Sequence, residues 1–233
     1  SDDLRIVKTK SRHVLGIDGE AGSSGDPSPA TAWGVFHGIR AAARKALGTH
    51  SLKGLRIALQ GLGSVSYSLL EHLVAEGAEV IGCDIDTAAI ERAVKKYRIE
   101  TIRPESIYDV PCDIFSPSAL GGAINAETLP RLKTKVIAGA ANNQLATPEM
   151  GQALLSRGIL YAPDYVINGG GLINIYHESA AYPNGYDRKR AFEHVERIEA
   201  TMMEIFSRSA DEGLPTSVIA DRMAEERIEK ARK

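Results

Sequence analysis

Gly61, Gly63 and Asp84 are spaced for work on a phosphate-bearing ligand, and all three lie in one run, LRIALQGLGSVSYSLLEHLVAEGAEVIGCDID, residues 55–86. Gly61-Leu62-Gly63 is a turn almost free of side chains, through which backbone N–H groups can approach a pyrophosphate. The helix that follows aims its N-terminus at the same anion. Asp84 stands about 20 residues beyond the turn, where a carboxylate hydrogen-bonds a ribose 2′-hydroxyl and repels a 2′-phosphate. Ile85 and Asp86 come next, with no Arg or Lys to receive a phosphate, so charge favours NAD over NADP. A glycine turn alone can be merely structural; the flanking strands and the acid supply the context the fingerprint requires. Ser66 departs from the pattern, standing where a third Gly or Ala packs close to the strand, and serine is small enough to be tolerated.

The elements that must position these residues can be read from the same chain. Residues 55–60 form an apolar run suited to a buried parallel strand, and residues 80–83 form a second that delivers Asp84 at its end. Residues 1–27 are polar and end in GEAGSSGDP, with glycines at 19, 22 and 25, so they read as a connector. Ser28 as N-cap and Pro29 at the first helical position open an Ala-rich helix that stops at Gly48. Further along, the pattern predicts helices at 87–97, 126–132 and 147–156, and strands at 113–115, 135–138 and 159–162. Such alternation predicts an α/β fold: a doubly wound, mostly parallel sheet of Rossmann type over residues 28–185. Beyond Gly185, residues 186–211 and 216–233 predict two C-terminal helices whose apolar stripe, Val195, Ile198, Met202 and Ile205, packs on the sheet or on a neighbouring subunit.

Composition narrows the function classes. The chain has 233 residues, 43% hydrophobic and 25% charged, ordinary for a globular enzyme. A net charge of -2 gives no electrostatic reason to expect nucleic acid or an anionic membrane. The six histidines lack metal-ligand spacing, so no metal is expected, and two cysteines are too few for a disulfide framework. Each cysteine sits in or beside an apolar run and reads as a buried free thiol, which points to the cytoplasm. No apolar stretch approaches the roughly 20 residues of a membrane span, and the N-terminus lacks signal-peptide regions.

Three more segments fall where strand ends should meet a cofactor: SPSALGG (116–122), AGAANNQL (138–145) and APDYVINGGGLIN (162–174). Asn142, Asn143 and Asn168 carry donors and acceptors suited to a carboxamide, a ribose or a carboxylate, or they serve as turn and cap residues. Gly169, Gly170 and Gly171 let backbone approach a ring closely, or form a flexible turn into a helix holding Leu172 and Ile175. Thr31 could offer its hydroxyl to a carboxamide, or simply start its helix. Spacing supports no Ser–His–Asp set.

GSSGDPSPATAWGV, QGLGSVSYSLLEHL, CDIFSPSALGG, KVIAGAANNQL and YAPDYVINGGGLIN together resemble the amino acid dehydrogenase family of leucine, phenylalanine, valine and tryptophan dehydrogenases, over nearly the whole chain. The resemblance implies reversible, NAD-dependent oxidative deamination of an L-amino acid to its 2-oxo acid and ammonia, with hydride passing from the substrate Cα to nicotinamide C4 and water hydrolysing the imine. It assigns Thr31 and Asn168 to the nicotinamide side and Gly61, Gly63 and Asp84 to the pyrophosphate and ribose. Ser64, Val65, Ile85, Ala119, Ala141 and Asn142 complete the cofactor-binding set. Asn143 goes to the substrate carboxylate, and Leu172 and Ile175 to an aliphatic pocket favouring leucine or valine, although GGLINIY also resembles the tryptophan type.

Ser66, Ser64, Ser118 and Gly169 replace the family's usual Ala or Gly, Asn, Cys and Ala, and should tune the site rather than abolish it. The family's GGGK-like lysine segment and acid/base aspartate belong to an N-terminal substrate domain. SDDLRIVKTKSRHVLGI resembles the portion just downstream of that aspartate, so the catalytic residues are expected upstream of Ser1, with residues 1–27 as connector, 28–185 as the cofactor unit and 186–233 as C-terminal helices. A homo-oligomer is implied. An aromatic substrate and a non-catalytic NAD-binding module are the alternatives.

Overall fold

A computed structural model describes residues 2–11, 14–17, 22–179 and 185–232. After helix α1 (Asp2–Lys8) and the long helix α2 (Ser28–Leu47), strands and crossovers alternate: β1 (Arg56–Gln60), α3 (Ser64–Ala75), β2 (Glu79–Cys83), α4 (Thr87–Tyr97) and β3 (Glu100–Thr101). A 3-10 segment (Pro104–Asp109), β4 (Ile114–Pro117), a 3-10 turn (Leu129–Arg131), β5 (Val136–Ile137), α5 (Glu149–Ser156) and β6 (Leu160–Tyr161) follow. Helices α6 (Asp164–Ile167), α7 (Gly170–Tyr176), α8 (Arg188–Val195), α9 (Arg197–Glu212) and α10 (Thr216–Arg232) complete the described chain. The strands pair in the order β3-β2-β1-β4-β5-β6, every pairing parallel. This is the doubly wound Rossmann-type sheet expected from the alternation, and its order reverses between β1 and β4, where such sheets open a crevice.

Side chains alternate along the strands with period two. Ile57, Leu59, Ile114 and Val136 enter the core layer that includes α2, α3 and α9. Ala58, Phe115, Ile137 and Tyr161 enter the opposite layer, beneath α5 and the 3-10 segments. Both faces of every central strand are therefore dry, which is why these strands read as continuous apolar runs.

Helix α2 organises the first layer because one of its stripes has almost no side chain. A Cβ on Gly34 would lie 2.7 Å from Ile198 Cδ1, and one on Gly38 would lie 2.3 Å from Ile167 Cγ1, so α6 and α9 cross α2 at close range. Gly170 is tighter still, with an added Cβ 2.1 Å from the Ala30 carbonyl oxygen. The triple glycine is thus the seat of α7 on α2; the backbone it approaches is protein. His37 Nδ1 and Glu199 Oε2, 2.7 Å apart, tie α2 to α9.

Several expectations need correction. The polar start contains the helix α1, followed by the loop; of the glycines expected in that loop, Gly19 lies outside the described residues. Ser28 is the first residue of α2 rather than its cap: its N–H donates to Asp26 Oδ1 at 2.9 Å. The helix expected at 126–132 is only a 3-10 turn, because Asn125 Oδ1 accepts from the Glu127 and Thr128 N–H groups and Pro130 has no N–H to continue. The first C-terminal helix is two, α8 and α9, broken at Glu196. The apolar stripe of Val195, Ile198 and Met202 runs across that break at helical spacing, which hides it from the sequence pattern. Among the described residues no helix is long and apolar enough to cross a membrane, and no group of three His, Cys, Asp or Glu side chains could hold a metal ion.

The Gly170–Ala30 contact leaves no room for relaxation, since both partners are backbone. Gly170→Ala should cost about 1–3 kcal/mol or more in chemical denaturation. An unchanged midpoint would show that α7 does not sit on α2 in this way.

Candidate functional site

A cavity of about 580 Å³ opens over the carboxyl ends of β1, β2 and β4, with Gly61, Gly63, Asp84, Ile85 and Ala119 in its wall. Its floor is a close backbone approach. Gly61 has φ +97°, and an added Cβ would lie 2.9 Å from Ala119 Cβ and 3.0 Å from the Ala119 nitrogen. Sheet hydrogen bonding persists one residue past the strands: the Gly61 N–H donates to Cys83 O at 2.9 Å and the Ser118 N–H to Gln60 O at 2.8 Å. Gly63 is the opposite case, since a Cβ there would meet nothing within 4 Å. The space above it is open for something other than protein. Gly63 also caps α3 without any side chain, so the first N–H groups of that helix, from Ser64 and Val65, lack an intrahelical acceptor at the positive end of its dipole.

Asp84 is fixed beside this turn. Its Oδ2 accepts from the Leu62 N–H at 2.6 Å and its Oδ1 from the Asp86 N–H at 2.9 Å. Ile85 and Leu120, 91% and 81% exposed, flank the cavity as two aliphatic walls. The inner wall holds two residues the sequence reading missed: Gln60 Nε2 donates to Tyr108 Oη at 2.7 Å, and Gln60 Oε1 is buried without a partner. Ser66 is buried against the strands as its size allows, with its hydroxyl unpaired.

A second group forms where the loops after β4, β5 and β6 meet. The Ala140 N–H donates to Ser118 Oγ at 3.1 Å, and the Ala141 N–H to Pro117 O at 3.0 Å, so Ala141 serves here through backbone contacts. Asn168 Nδ2 donates to Asn142 Oδ1 at 2.6 Å and to Ala140 O at 3.1 Å. That leaves Asn168 Oδ1 as an acceptor and the Asn142 amide hydrogens as donors, a matched pair for a carboxamide. Asn143 takes the left-handed conformation at φ 52°, and its carbonyl accepts from the Gly122 N–H at 2.7 Å; this is turn work, with the side chain exposed. The loop is pinned by Gln144, which was not singled out from the sequence. Its Nε2 donates to Gly139 O and Ala141 O, and its N–H donates to Asp164 Oδ2 at 2.8 Å, joining ANNQ to APDYVIN. A polar residue closing an otherwise small-residue loop was the available signal.

The Thr31 hydroxyl donates to Pro27 O at 3.0 Å and faces Gly171, so only its lone pairs remain for a ligand. Leu172 is 75% exposed, and Ile175, one turn on, packs against Gly16. A different cavity, about 280 Å³ beside Lys135 and Leu154, contains none of the residues picked from the sequence.

Of the two cysteines, both free thiols, Cys112 is only half-buried, whereas Cys83 is buried under the cavity. Burial pushes the Cys83 thiol up to about 11, opposed by a hydrogen bond with the Gly61 backbone and reinforced by the Asp84 charge. The folded chain therefore keeps a proton that the unfolded chain releases in the ordinary thiol range. Stability from this group is complete below about pH 9 and is lost as the pH climbs toward about 11. Urea midpoints across that window should fall less steeply for Cys83→Ala than for the parent, and parallel profiles would contradict the assignment.

The family described as Glutamate/Leucine/Phenylalanine/Valine dehydrogenase matches residues 22–93 and 84–233. A leucine dehydrogenase of Thermoactinomyces intermedius is 49% identical over 232 residues, covering 100% of this chain and 62% of its own length. An L-tryptophan dehydrogenase of Nostoc punctiforme is 41% identical over 233 residues, and a crystal structure from that organism with the same name superposes with TM-score 0.84 over 89% of this chain and 62% of that one. A hetero-hexameric glutamate dehydrogenase of Thermus thermophilus, 24% identical with TM-score 0.72, shares the fold. The chain spans slightly under two thirds of the length of the relatives it matches. Matched from residue 22 to its end, the chain belongs to the glutamate/leucine/phenylalanine/valine dehydrogenase family.

Proposed function

We propose that this chain supplies the dinucleotide-binding domain for NAD-dependent oxidative deamination of an L-amino acid of the leucine or valine type. The observation that carries the reading is the pairing of open space over Gly63 with a carboxylate, Asp84, held beside the same turn. NAD, when bound, supplies the hydride acceptor. The uncapped start of α3 offers N–H groups and a positive dipole end to the pyrophosphate. Asp84 accepts from the ribose hydroxyls, and its charge disfavours a 2′-phosphate. Ile85 and Leu120 provide apolar surface for the adenine. Asn168 and Asn142 offer an acceptor and donors for the nicotinamide carboxamide, with Thr31 nearby, and Asn143 is left for the substrate carboxylate.

Leu172 and Ile175 share a helix face at i and i+3 and offer aliphatic surface to the substrate side chain. Identity of 49% with a leucine dehydrogenase, against 41% with an L-tryptophan dehydrogenase, favours the aliphatic substrate. The acid/base residues belong upstream of residue 1 in this reading, with residues 1–27 as the connector, 28–185 as the cofactor unit and 186–233 as helices supporting it. A homo-oligomer in the cytoplasm completes the proposal, and the two free thiols suit a reducing compartment.

Two measurements test it. Calorimetry should give NAD binding at least tenfold tighter than NADP, with Asp84→Asn lowering NAD affinity by about tenfold or more, the loss expected for a hydrogen bond to a charged group. Gly63→Ala should abolish NAD binding while changing stability by about 1 kcal/mol or less, the scale of an N-cap exchange; Gly61→Ala should destabilise the fold itself by about 1–2 kcal/mol or more through its positive φ. In the second measurement, reduced-cofactor formation is followed with leucine, valine, isoleucine, phenylalanine, tryptophan and glutamate. Silence together with NAD binding is the expected result for this polypeptide; turnover would disprove the upstream placement of the catalytic groups, and failure to bind NAD would sink the reading.

A further inference from the structure

The segment leading into α2 is gathered onto a single oxygen atom. Glu178, just after α7, accepts through Oε2 from the Gly16 N–H at 3.0 Å, the Ser24 N–H at 2.8 Å, the Ser24 hydroxyl at 2.7 Å and the Ser23 hydroxyl at 3.3 Å. Four donors from a segment more than 150 residues away in sequence converge on it. Such convergence suits an anion, because hydrogen bonds to a charged acceptor are stronger than neutral ones and a neutral amide oxygen would leave several donors poorly satisfied. Gly16 also lies beside Gly25 and α7: an added Cβ on it would lie 3.6 Å from the Gly25 carbonyl and 3.6 Å from Ile175 Cδ1. Ser23 Oγ in turn accepts from the Gly25 N–H at 3.2 Å, and Asp26 Oδ1 from the Ser28 N–H at 2.9 Å, so the order set at Glu178 runs directly into the first turn of α2.

From this geometry we infer that Glu178 is a positioning residue: it latches Gly16, Ser23 and Ser24 against the end of α7, and so fixes both the wall beside Ile175 and the direction in which the chain enters α2. It acts through Gly16, which packs on Ile175, and through Ser23 and Ser24, which lead into the α2 turn bearing Thr31. The kinetic part of the inference rests on the proposed function, in which catalytic groups reach the site by way of this connector. The latch itself does not.

The test uses Glu178→Gln, which keeps the shape and removes the charge, with Ser24→Ala as a milder variant that deletes one donor. Backbone hydrogen exchange on the intact chain should speed up by about tenfold or more at residues 14–17 and 22–25 in Glu178→Gln, and less in Ser24→Ala, as for lost hydrogen bonds to a charged group, while the strands of the sheet keep their protection. In the full-length enzyme, KM for the amino acid should rise several-fold in the same rank order, with NAD affinity within about twofold of the parent; a general loss of fold would move both together. Unchanged exchange at 14–17 and 22–25 would overturn the latch. Faster exchange with amino acid kinetics unaltered would overturn the positioning role. Absence of turnover in the parent enzyme would count against the proposed function alone, and the exchange data would then decide the latch by themselves.

Discussion

The hydrogen bond from the Leu62 N–H to Asp84 Oδ2, 2.6 Å long, joins the ends of the neighbouring strands β1 and β2, beside the β1–β4 junction where the sheet order reverses. One partner is the middle of the glycine turn; the other is the acid at the tip of β2. Because the same carboxylate also accepts from the Asp86 N–H, its position is set on two sides before any ligand arrives. The turn cannot shift without moving the acid, and the start of α3 moves with the turn. Preorganisation of this kind lowers the ordering cost of binding, and under the proposed function the donors and the charge stand ready for a dinucleotide.

That clamp is useful only if the ground beneath it is rigid, and the rigidity comes from missing side chains. Gly34, Gly38 and Gly170 allow α2, α6, α7 and α9 to approach at backbone distance, and the His37–Glu199 contact locks the longest of these crossings. The loops after β5 and β6, which carry Asn142 and Asn168, are cross-tied through Gln144 and Asp164. The glycine turn and its acid thus stand at the ends of β1 and β2, and the paired amides of Asn142 and Asn168 on the loops after β5 and β6.

The sequence discloses the parts of this arrangement that single residue types encode. A turn needing φ above zero calls for Gly61, and buried strands call for apolar runs, so the parallel sheet and its glycine turn are legible, with Asp84 standing beside that turn as its spacing leads one to expect. The parts made by contacts distant in sequence are not. Gln60 meets Tyr108 over 48 residues, and Gly16 meets Glu178 over 162, with no local pattern to announce either. Local chemistry also misleads where two signals compete: the apolar residues around 126–132 suggest a helix, yet Asn125 and Pro130 turn the backbone away from it. The triple glycine reads as flexibility because glycine permits it, whereas here the same lack of a Cβ permits tight packing.

The sheet has another property that follows from its dimensions. Each edge strand is two residues long, Glu100–Thr101 on one side and Leu160–Tyr161 on the other. The first edge carries a charged, exposed Glu100, and the second is closed where Thr216 Oγ1 donates to Tyr161 O at 2.7 Å. Open rows of backbone donors and acceptors are templates for strand addition by other chains, and short, charged or covered edges remove the template. A six-stranded parallel sheet of buried apolar strands is thereby kept from seeding fibrous association, by the brevity of its two outermost strands and independently of anything bound in its crevice.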